Sequence, residues 1–562
     1  MNKKITRNIL LTTVLILLVV ASVTLYIGYP FTSNEKVNVK GTSIIYQNQI
    51  VENEKVKRID EEAYVRFSFV KETIDPTIVY DQPSQSVIIT MPRDVYQLPT
   101  GEGAYELNQE EYDLHFPVTT SENGETWLAV EWLRKVYPMY FHLSEYALSI
   151  YEDDSTRQVA EVITGLEEKQ TKVRQQSDIT SPYYINLEPG DKVYLIGEED
   201  SFYKILTEQG YSGFISKDAV DNIETITLQA ETTQQSRKDI TRLEKPFHVT
   251  WDAIYSAAAT PSEVESKPGV DVLSPTWFSL IDEQGSIENF ASTDYVESAH
   301  AQGDEVWALF SNGFDPDLTH KVLPSFEKRQ HMIRQLLDFA RIYNLDGINI
   351  DFENVYLEDG PWLTQFVREL TPLAHEAGLI VSVDVAFPNG SAQWSRFLEH
   401  QKLAEAADYL MVMAYDEHWA NSPEAGSVAS LPWVRGNTEA LLELVPSEKL
   451  LLGIPLYTRL WTEETLENGE VEVSSESFSM EEAAQWMAER QLTPEYNDDT
   501  GQNIVTYKEG DKTYTIWLED ETSIKNRIEL MKKFDLAGLA SWSESFADEQ
   551  AWNVIDRQLD TD

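Results

Sequence analysis

The stretch Leu345-Asp346-Gly347-Ile348-Asn349-Ile350-Asp351-Phe352-Glu353 decides the reading of this chain. Side chains alternate in direction along a strand, so Asn349, Asp351 and Glu353 share one face and Ile348, Ile350 and Phe352 share the other. The apolar face suits a layer of helices, and the polar face then looks inward. Two carboxylates in close reach cannot both ionise freely at low dielectric. One of them therefore keeps its proton and can donate it. Acidic residues at a strand end more often meet solvent or cap the next helix. Three polar groups on one face of an otherwise apolar strand argue against that here.

Working outward, strand-like and helix-like segments alternate from about residue 245 to the C-terminus. Phe247–Thr250, Val270–Leu280, Glu305–Phe310, Gly347–Phe352, Leu379–Ala386, Tyr409–Ala414, Leu450–Leu456 and Leu536–Trp542 are the buried-strand candidates. Amphipathic stretches such as Arg329–Tyr343 and Pro361–His375 lie between them. This alternation predicts an α/β fold, a TIM (β/α)8 barrel over 245–562. Catalytic groups in such barrels sit at the C-terminal ends of the strands, where Glu353 falls. Between Trp461 and Asp535 lies extra material with its own hairpin, Ile504–Tyr507 and Thr513–Trp517 around Glu509-Gly510-Asp511. We expect a small α+β insertion between strands seven and eight, forming one wall of a cleft.

At 562 residues the chain is too long for one ordinary domain, and two to four are expected. Lys3, Lys4 and Arg7 precede an apolar run from Ile9 to Ile27, close to the length of a membrane-spanning helix. Residues 1–30 are thus expected to be an anchor or signal segment, with the rest of the chain exported. An uncleaved anchor in the cytoplasmic membrane is preferred, because the apolar run continues past Ala21-Ser22; secretion after cleavage there is the alternative. Ser33 to Asn38 and Ala230 to Lys245 read as polar linkers. Between them, Ala63–Phe67, Ser86–Thr90 and Tyr146–Tyr151 are strand-like, and Trp127–Leu133 is helix-like, giving a small α+β module over 40–155. Lys192–Gly197, Phe202–Leu206 and Tyr211–Ile215, with turns at Pro189-Gly190 and Gln209-Gly210, give a small all-β barrel over 177–225.

A net charge of -51 argues against nucleic acid as a partner, because phosphate binding needs clustered Lys and Arg; a neutral polysaccharide remains compatible. With no cysteine, disulfides, thiol nucleophiles and cysteine metal sites are excluded. No histidine cluster, phosphate loop or nucleophile elbow is present, so no metal or cofactor is expected.

Asp346-Gly347 followed by Asp351 and Glu353 resembles the Asp-Gly-x-x-x-Asp-x-Glu signature of glycoside hydrolase family 18, the chitinase-like enzymes. Met413-Ala414-Tyr415-Asp416 after the sixth strand is similar to that family's Met-x-Tyr-Asp motif. Glu417-His418-Trp419 and Gly426–Trp433 resemble the branch of spore-cortex and germination N-acetylglucosaminidases. Gly453–Tyr457 fits the seventh strand, and Trp542 the eighth-strand tryptophan that floors the sugar site. The first small module resembles one named after the N-terminal domain of copper amine oxidases; its lone His115 and His142 imply no copper site. The second is similar to bacterial Src-homology-3-like barrels of cell-wall enzymes.

The resemblance implies an exported hydrolase of β-1,4 bonds in N-acetylglucosamine polysaccharide, with chitin and peptidoglycan both open. It implies a substrate-assisted, retaining mechanism. Glu353 would protonate the glycosidic oxygen, Asp351 would hold the acetamido N–H, and Tyr415 would donate to the acetyl oxygen. Asn349, Asp416, Trp542, Tyr457, Met413 and Trp251 would bind or line the sugar site. His418 would sit at the rim, and Trp277 and Trp307 would be core or sugar platforms. Family members often carry Asp where this chain has Asn349, which puts in doubt how protons are shuttled. The rival reading is a catalytically inactive carbohydrate-binding cell-wall protein on the same barrel. Such proteins usually lack the acid that Glu353 supplies here.

Overall fold

The computed structural model describes residues 3–28, 32–231, 240 and 242–560. Eight parallel strands close into a barrel. They are β1 (Phe247–Asp252), β2 (Val272–Pro275), β3 (Glu305–Ser311), β4 (Gly347–Asp351), β5 (Ile380–Val385), β6 (Tyr409–Met413), β7 (Leu450–Pro455) and β8 (Gly538–Trp542). Each pairs with the next, β8 pairs with β1, and β2 closes on β3. All eight sequence-predicted strands are therefore present. One differs in form: Val270–Leu280 is not a single strand. It breaks after Pro275, and Phe278–Leu280 runs separately beside β3 as half of a hairpin with Ile287–Asn289.

Two apolar layers hold the barrel. Ile348, Ile350 and Phe352 face outward and join the large cluster between strands and helices. The interior is filled by Phe247, Val249, Trp251, Trp307, Leu309, Tyr409 and Met411 among others. Trp307 and Tyr409 stack there with centroids 5.9 Å apart. Trp277 is also fully buried, so both tryptophans are core and neither is a sugar platform. Gly347 has to be glycine at this spot: a Cβ would lie 2.6 Å from the Trp307 ring. Truncating a buried tryptophan of this kind costs about 3–5 kcal/mol.

The helices follow their sequence patterns. In Phe326–Tyr343 the residues Met332, Ile333, Leu336 and Ala340 form the buried stripe. Asn344 ends the helix in the left-handed region, φ 56, which asparagine tolerates. Its first turn is satisfied from far away in sequence, the Phe326 N–H donating to Asp81 Oδ1 at 2.8 Å. The segments Val79–Gln97 and Glu106–Glu111 belong to the same compact unit as Arg237–Asp562. Ile88 and Val95 join the outer cluster of the barrel. The expected 40–155 module is thus divided, because its central hairpins bury their apolar faces with the barrel.

The other unit takes in Met1–Ile78, Leu98–Tyr105 and Tyr112–Ser236. Its first sheet has seven strands, with Met139–Leu143 at one edge and Thr119–Glu122 at the other, and is accompanied by the helix Val130–Val136. Its second is an antiparallel seven-stranded sheet around Val173, Val193, Ile205 and Ile215. That sheet includes Thr156–Val162 and Lys172–Arg174, upstream of the start expected near Ser177. Both strands are rich in charged and polar residues, which hid them in the sequence. Lys3–Gly28 is a helix, and its Arg7–Thr24 portion is long and apolar enough to cross a membrane, by length and composition. Most of the linker expected at Ala230–Lys245 lies outside the described residues.

Between β7 and β8 stands the expected insertion, a five-stranded sheet with the helix Met480–Arg490. Its hairpin is Gln502–Glu509 and Lys512–Trp517. Ser479 caps the helix in a reciprocal arrangement with Glu482.

Candidate active site

Glu353 stands two residues beyond the last residue of β4, partly exposed, while Asp351 closes the strand and is buried. The backbone at Glu353 is clamped by a residue the sequence reading did not single out. Asn312, just past β3 and fully buried, accepts from the Glu353 N–H at 3.1 Å and donates to its carbonyl at 2.8 Å. Asn312 also donates to Thr319 at 3.0 Å, so its amide is fixed.

Both carboxyls resist ionisation. Burial holds Glu353 well above the usual carboxylate range, and the charges of Asp351 and Asp416 add to it. Burial likewise raises Asp351, with Asp384 adding to it. A carboxyl whose ionisation is resisted, at the mouth of a barrel, is equipped to hold a proton and donate it.

Asp384 on β5 is a third carboxyl in the site and is buried like Asp351. The register pairs Asn349 with Ser382 and Ile350 with Val383, which sets Asp384 across from Asp351. Asn349 accepts from Ser382 Oγ at 2.9 Å and donates to Asp384 Oδ2 at 2.9 Å. The Trp251 indole N–H donates to the same oxygen at 3.2 Å. Burial raises Asp384 as well, the bond from Asn349 opposing and the charge of Glu353 adding to it. A signal for Asp384 was available: Ser382 and Asp384 repeat on β5 the polar alternation seen on β4.

These contacts correct two expectations. Trp251 is 1% exposed and Asn349 is 0% exposed, so neither lines a cleft. Both stand beneath it, inside the barrel, and reach the site through Asp384.

From β6, Tyr415 and Asp416 arrive beside the carboxyls. Tyr415 is partly buried, and its hydroxyl is held well above its ordinary pKa by burial and by Asp384. It stays a neutral donor. Asp416 is exposed and sits in the left-handed region at φ 60. It accepts from the Tyr457 hydroxyl at 2.5 Å, and the Arg459 guanidinium lies 3.6 Å away. Tyr457 is buried edge-on to Tyr415, at 6.3 Å between centroids. Met413 ends β6 and Trp542 ends β8, both partly exposed. Trp542 lies 6.0 Å from Trp251 between ring centroids. Arg459 was missed in the sequence because it lies inside the insertion's first strand.

The loop after β6 is anchored rather than loose. The His418 ring meets the Ser427 carbonyl through Nδ1 at 2.8 Å, which gives it a structural contact at the rim. A Cβ on Gly426 would come within 2.3 Å of that ring, so any larger residue would have to displace it. Trp461 of the insertion donates to the Gly426 carbonyl at 2.8 Å, and Arg527 donates to the Ala429 carbonyl at 2.6 Å. Glu417 accepts from the Ser430 N–H at 2.7 Å.

The family model of Glycosyl hydrolases family 18 matches residues 277–547. The uncharacterized glycosylase YvbX of Bacillus subtilis is 26% identical over 286 residues, 49% of this chain and 80% of that protein. The cortical fragment-lytic enzyme of Bacillus subtilis is 24% identical over 255 residues, 45% of this chain and 58% of that protein. The crystal structure of the Bacillus cereus spore cortex-lytic enzyme SleL aligns with a TM-score of 0.50 at 16% identity, over 67% of this chain and 90% of that one. That last likeness speaks to the fold alone. The match spans β3 to β8 and includes Glu353, Asp351, Tyr415 and Trp542, so the C-terminal barrel of this chain belongs to glycosyl hydrolases family 18 and is a glycoside hydrolase domain.

Proposed function

We propose that the barrel cleaves β-1,4 bonds in N-acetylglucosamine-containing polysaccharide, chitin-like chains or peptidoglycan glycan strands, by a substrate-assisted retaining mechanism. The observation that carries this reading is the pair of ionisation-resistant carboxyls, buried Asp351 and partly exposed Glu353, with the neutral hydroxyl of Tyr415. Glu353 gives its proton to the glycosidic oxygen as the C1–O bond breaks. The substrate's own acetamido oxygen bonds to C1 in its place, forming an oxazolinium ion. Asp351 accepts the acetamido N–H and stabilises the positive charge, and Tyr415 donates to the acetyl oxygen. Glu353, now a carboxylate, takes a proton from water as that water attacks C1 and reopens the ring. Asp416 positions the sugar, and Trp542 stacks on its apolar face. This division of labour follows the general logic of acid–base and electrostatic catalysis.

The names of relatives lend support on substrate class: one is a cortical fragment-lytic enzyme, and another, from Homo sapiens, is a di-N-acetylchitobiase. The apolar helix Lys3–Gly28 supports an exported, membrane-tethered protein. Product masses and initial anomers from chitin oligomers and from purified glycan strands test the reading. We expect β-anomers first, and inert substrates when the sugar in the cleavage subsite is deacetylated. Alpha-anomers first, or rapid cleavage beside a free amine, would sink it. Glu353→Gln is expected to lower turnover by roughly 10²–10⁴-fold while leaving sugar binding nearly intact.

A further inference from the structure

Asp384 is a buried acid with no part in the steps above, and its surroundings give it one. Its Oδ2 accepts from both Asn349 and Trp251. Its Oδ1 is buried with no hydrogen-bond partner, and the same holds for Asp351 Oδ1. The strand register sets these two residues side by side on the inward face of β4 and β5. Ionised carboxylates only accept, so two neighbouring carboxylates would leave two buried acceptors unsatisfied and two like charges opposed. A single proton removes both penalties, since one O–H can donate to the other carboxyl. Asn349 cannot be the store, because an amide takes up no proton; its own two ends are committed to Ser382 and Asp384.

We infer that Asp351 and Asp384 hold one proton between them, and that Asp384 is the positioning residue that keeps it while Asp351 carries charge. The inference rests on Asp351 being the group that receives the acetamido N–H. No proton enters or leaves the pair in the step. In the resting site the pair bears one negative charge. When the acetamido N–H donates to Asp351, the proton stays on Asp384 and points at Asp351, which is then fully anionic as the oxazolinium forms. The groups acting on the pair are Glu353 from beyond β4 and Tyr415 from β6. Asp416, with its neighbours Tyr457 and Arg459, acts on Glu353 in turn. Burial disfavours charge at Asp351 and at Asp384, in keeping with a shared proton.

Infrared difference spectra in the absence of substrate test the pair directly. The Glu353→Gln protein removes the signal of the acid itself. Near neutral pH it is expected to retain a protonated-carboxyl stretch that disappears when Asp384→Asn is added. Asn at 384 can still accept from Asn349 and Trp251, so the fold is expected to survive, and a thermal melt checks this. Identical spectra with and without Asp384→Asn would overturn the shared proton. Kinetics test the role. Asp384→Asn alone is expected to lower kcat roughly tenfold or more with KM little changed. The exchange Asn349→Asp with Asp384→Asn, which returns the storing carboxyl to the neighbouring position, is expected to recover most of that loss. An exchange no better than the single variant would overturn the positioning role. The spectra need no turnover, so a failure of the proposed reaction on every glycan is distinguishable from a failure of the pair.

Discussion

Asn312 grips the backbone of Glu353 at both of its polar groups, accepting from the N–H at 3.1 Å and donating to the carbonyl at 2.8 Å. A chain that has just left β4 would otherwise be free to swing, and the acid would swing with it. Here a neighbouring strand's loop fixes it without touching the carboxyl.

Asn312→Ala is therefore expected to reduce kcat more than it weakens sugar binding. Four groups each lose a partner at once: the N–H and carbonyl of Glu353, the Phe314 N–H and the Thr319 hydroxyl. Stability falls by about 1–3 kcal/mol for the buried groups left unsatisfied. Steady-state kinetics on a soluble oligomer and urea unfolding read the two effects. A variant with wild-type kcat would show that the clamp does not position the acid.

Asp416 touches the acid only through its charge. A nearby anion opposes ionisation of Glu353, so Asp416 raises the pKa of the group that must stay protonated. Removing the charge lowers that pKa, and the proton is lost at lower pH. The alkaline limb of the kcat/KM profile is thus expected to move toward lower pH in Asp416→Asn. Asn keeps an oxygen for the Tyr457 hydroxyl, so geometry is largely retained. An alkaline limb that stays in place, whatever the change in rate, removes Asp416 from the control of Glu353.

Much of this was legible in the sequence, for a physical reason. Buried parallel strands are short apolar runs, and β1 to β8 all stood out as such. A polar residue at every second position of such a run has to face the barrel interior, which picked out Asn349, Asp351 and Glu353. The same rule applied to β5 would have found Asp384. What alternation cannot give is depth. Trp251 and Asn349 lie on the inward face yet below the cleft, and only the three-dimensional packing separates floor from foundation. Asn312 and Arg459 sit in irregular or inserted segments, where no periodicity marks them. The split of the 40–155 region was equally hidden, since a hairpin's pattern does not say which core it will join.

Glu369 and Arg329 form a bidentate ion pair with both side chains fully buried between the helices Phe326–Tyr343 and Gly360–Glu376. Gln330 and Gln365 complete the carboxylate's hydrogen bonds, and Arg329 also donates to the Leu323 carbonyl at 2.7 Å. Glu369→Gln leaves a buried cation without its counter-charge. We expect a loss of about 3–5 kcal/mol, the usual cost of breaking such a pair from one side. Urea unfolding of the two proteins at matched pH measures it. A loss below about 1 kcal/mol would mean that Arg329 finds another partner or water, contrary to its complete burial.

His248 provides the clearest test of acid stability. It is fully buried on β1, its Nδ1 meeting the Gly269 carbonyl at 2.8 Å and its Nε2 meeting Ser541 Oγ at 2.9 Å. Burial lowers its pKa from 6.5 to about 4, against a smaller opposing effect of the Gly269 carbonyl. Between those two values the unfolded chain binds a proton that the folded chain refuses. Stability therefore rises with pH through this window and is lost as pH falls through it. The full window is worth about 3 kcal/mol. Asp252, pushed up to about 6 chiefly by burial, acts with the opposite sign, because its folded form gains a proton over much the same range. Wild-type stability alone thus mixes the two. The difference between wild type and His248→Gln isolates the histidine, since Asp252 is common to both. As pH falls from about 6.5 to about 4, wild type is expected to lose about 3 kcal/mol relative to the variant. A difference that stays constant with pH would mean that His248 is protonated in the folded barrel after all.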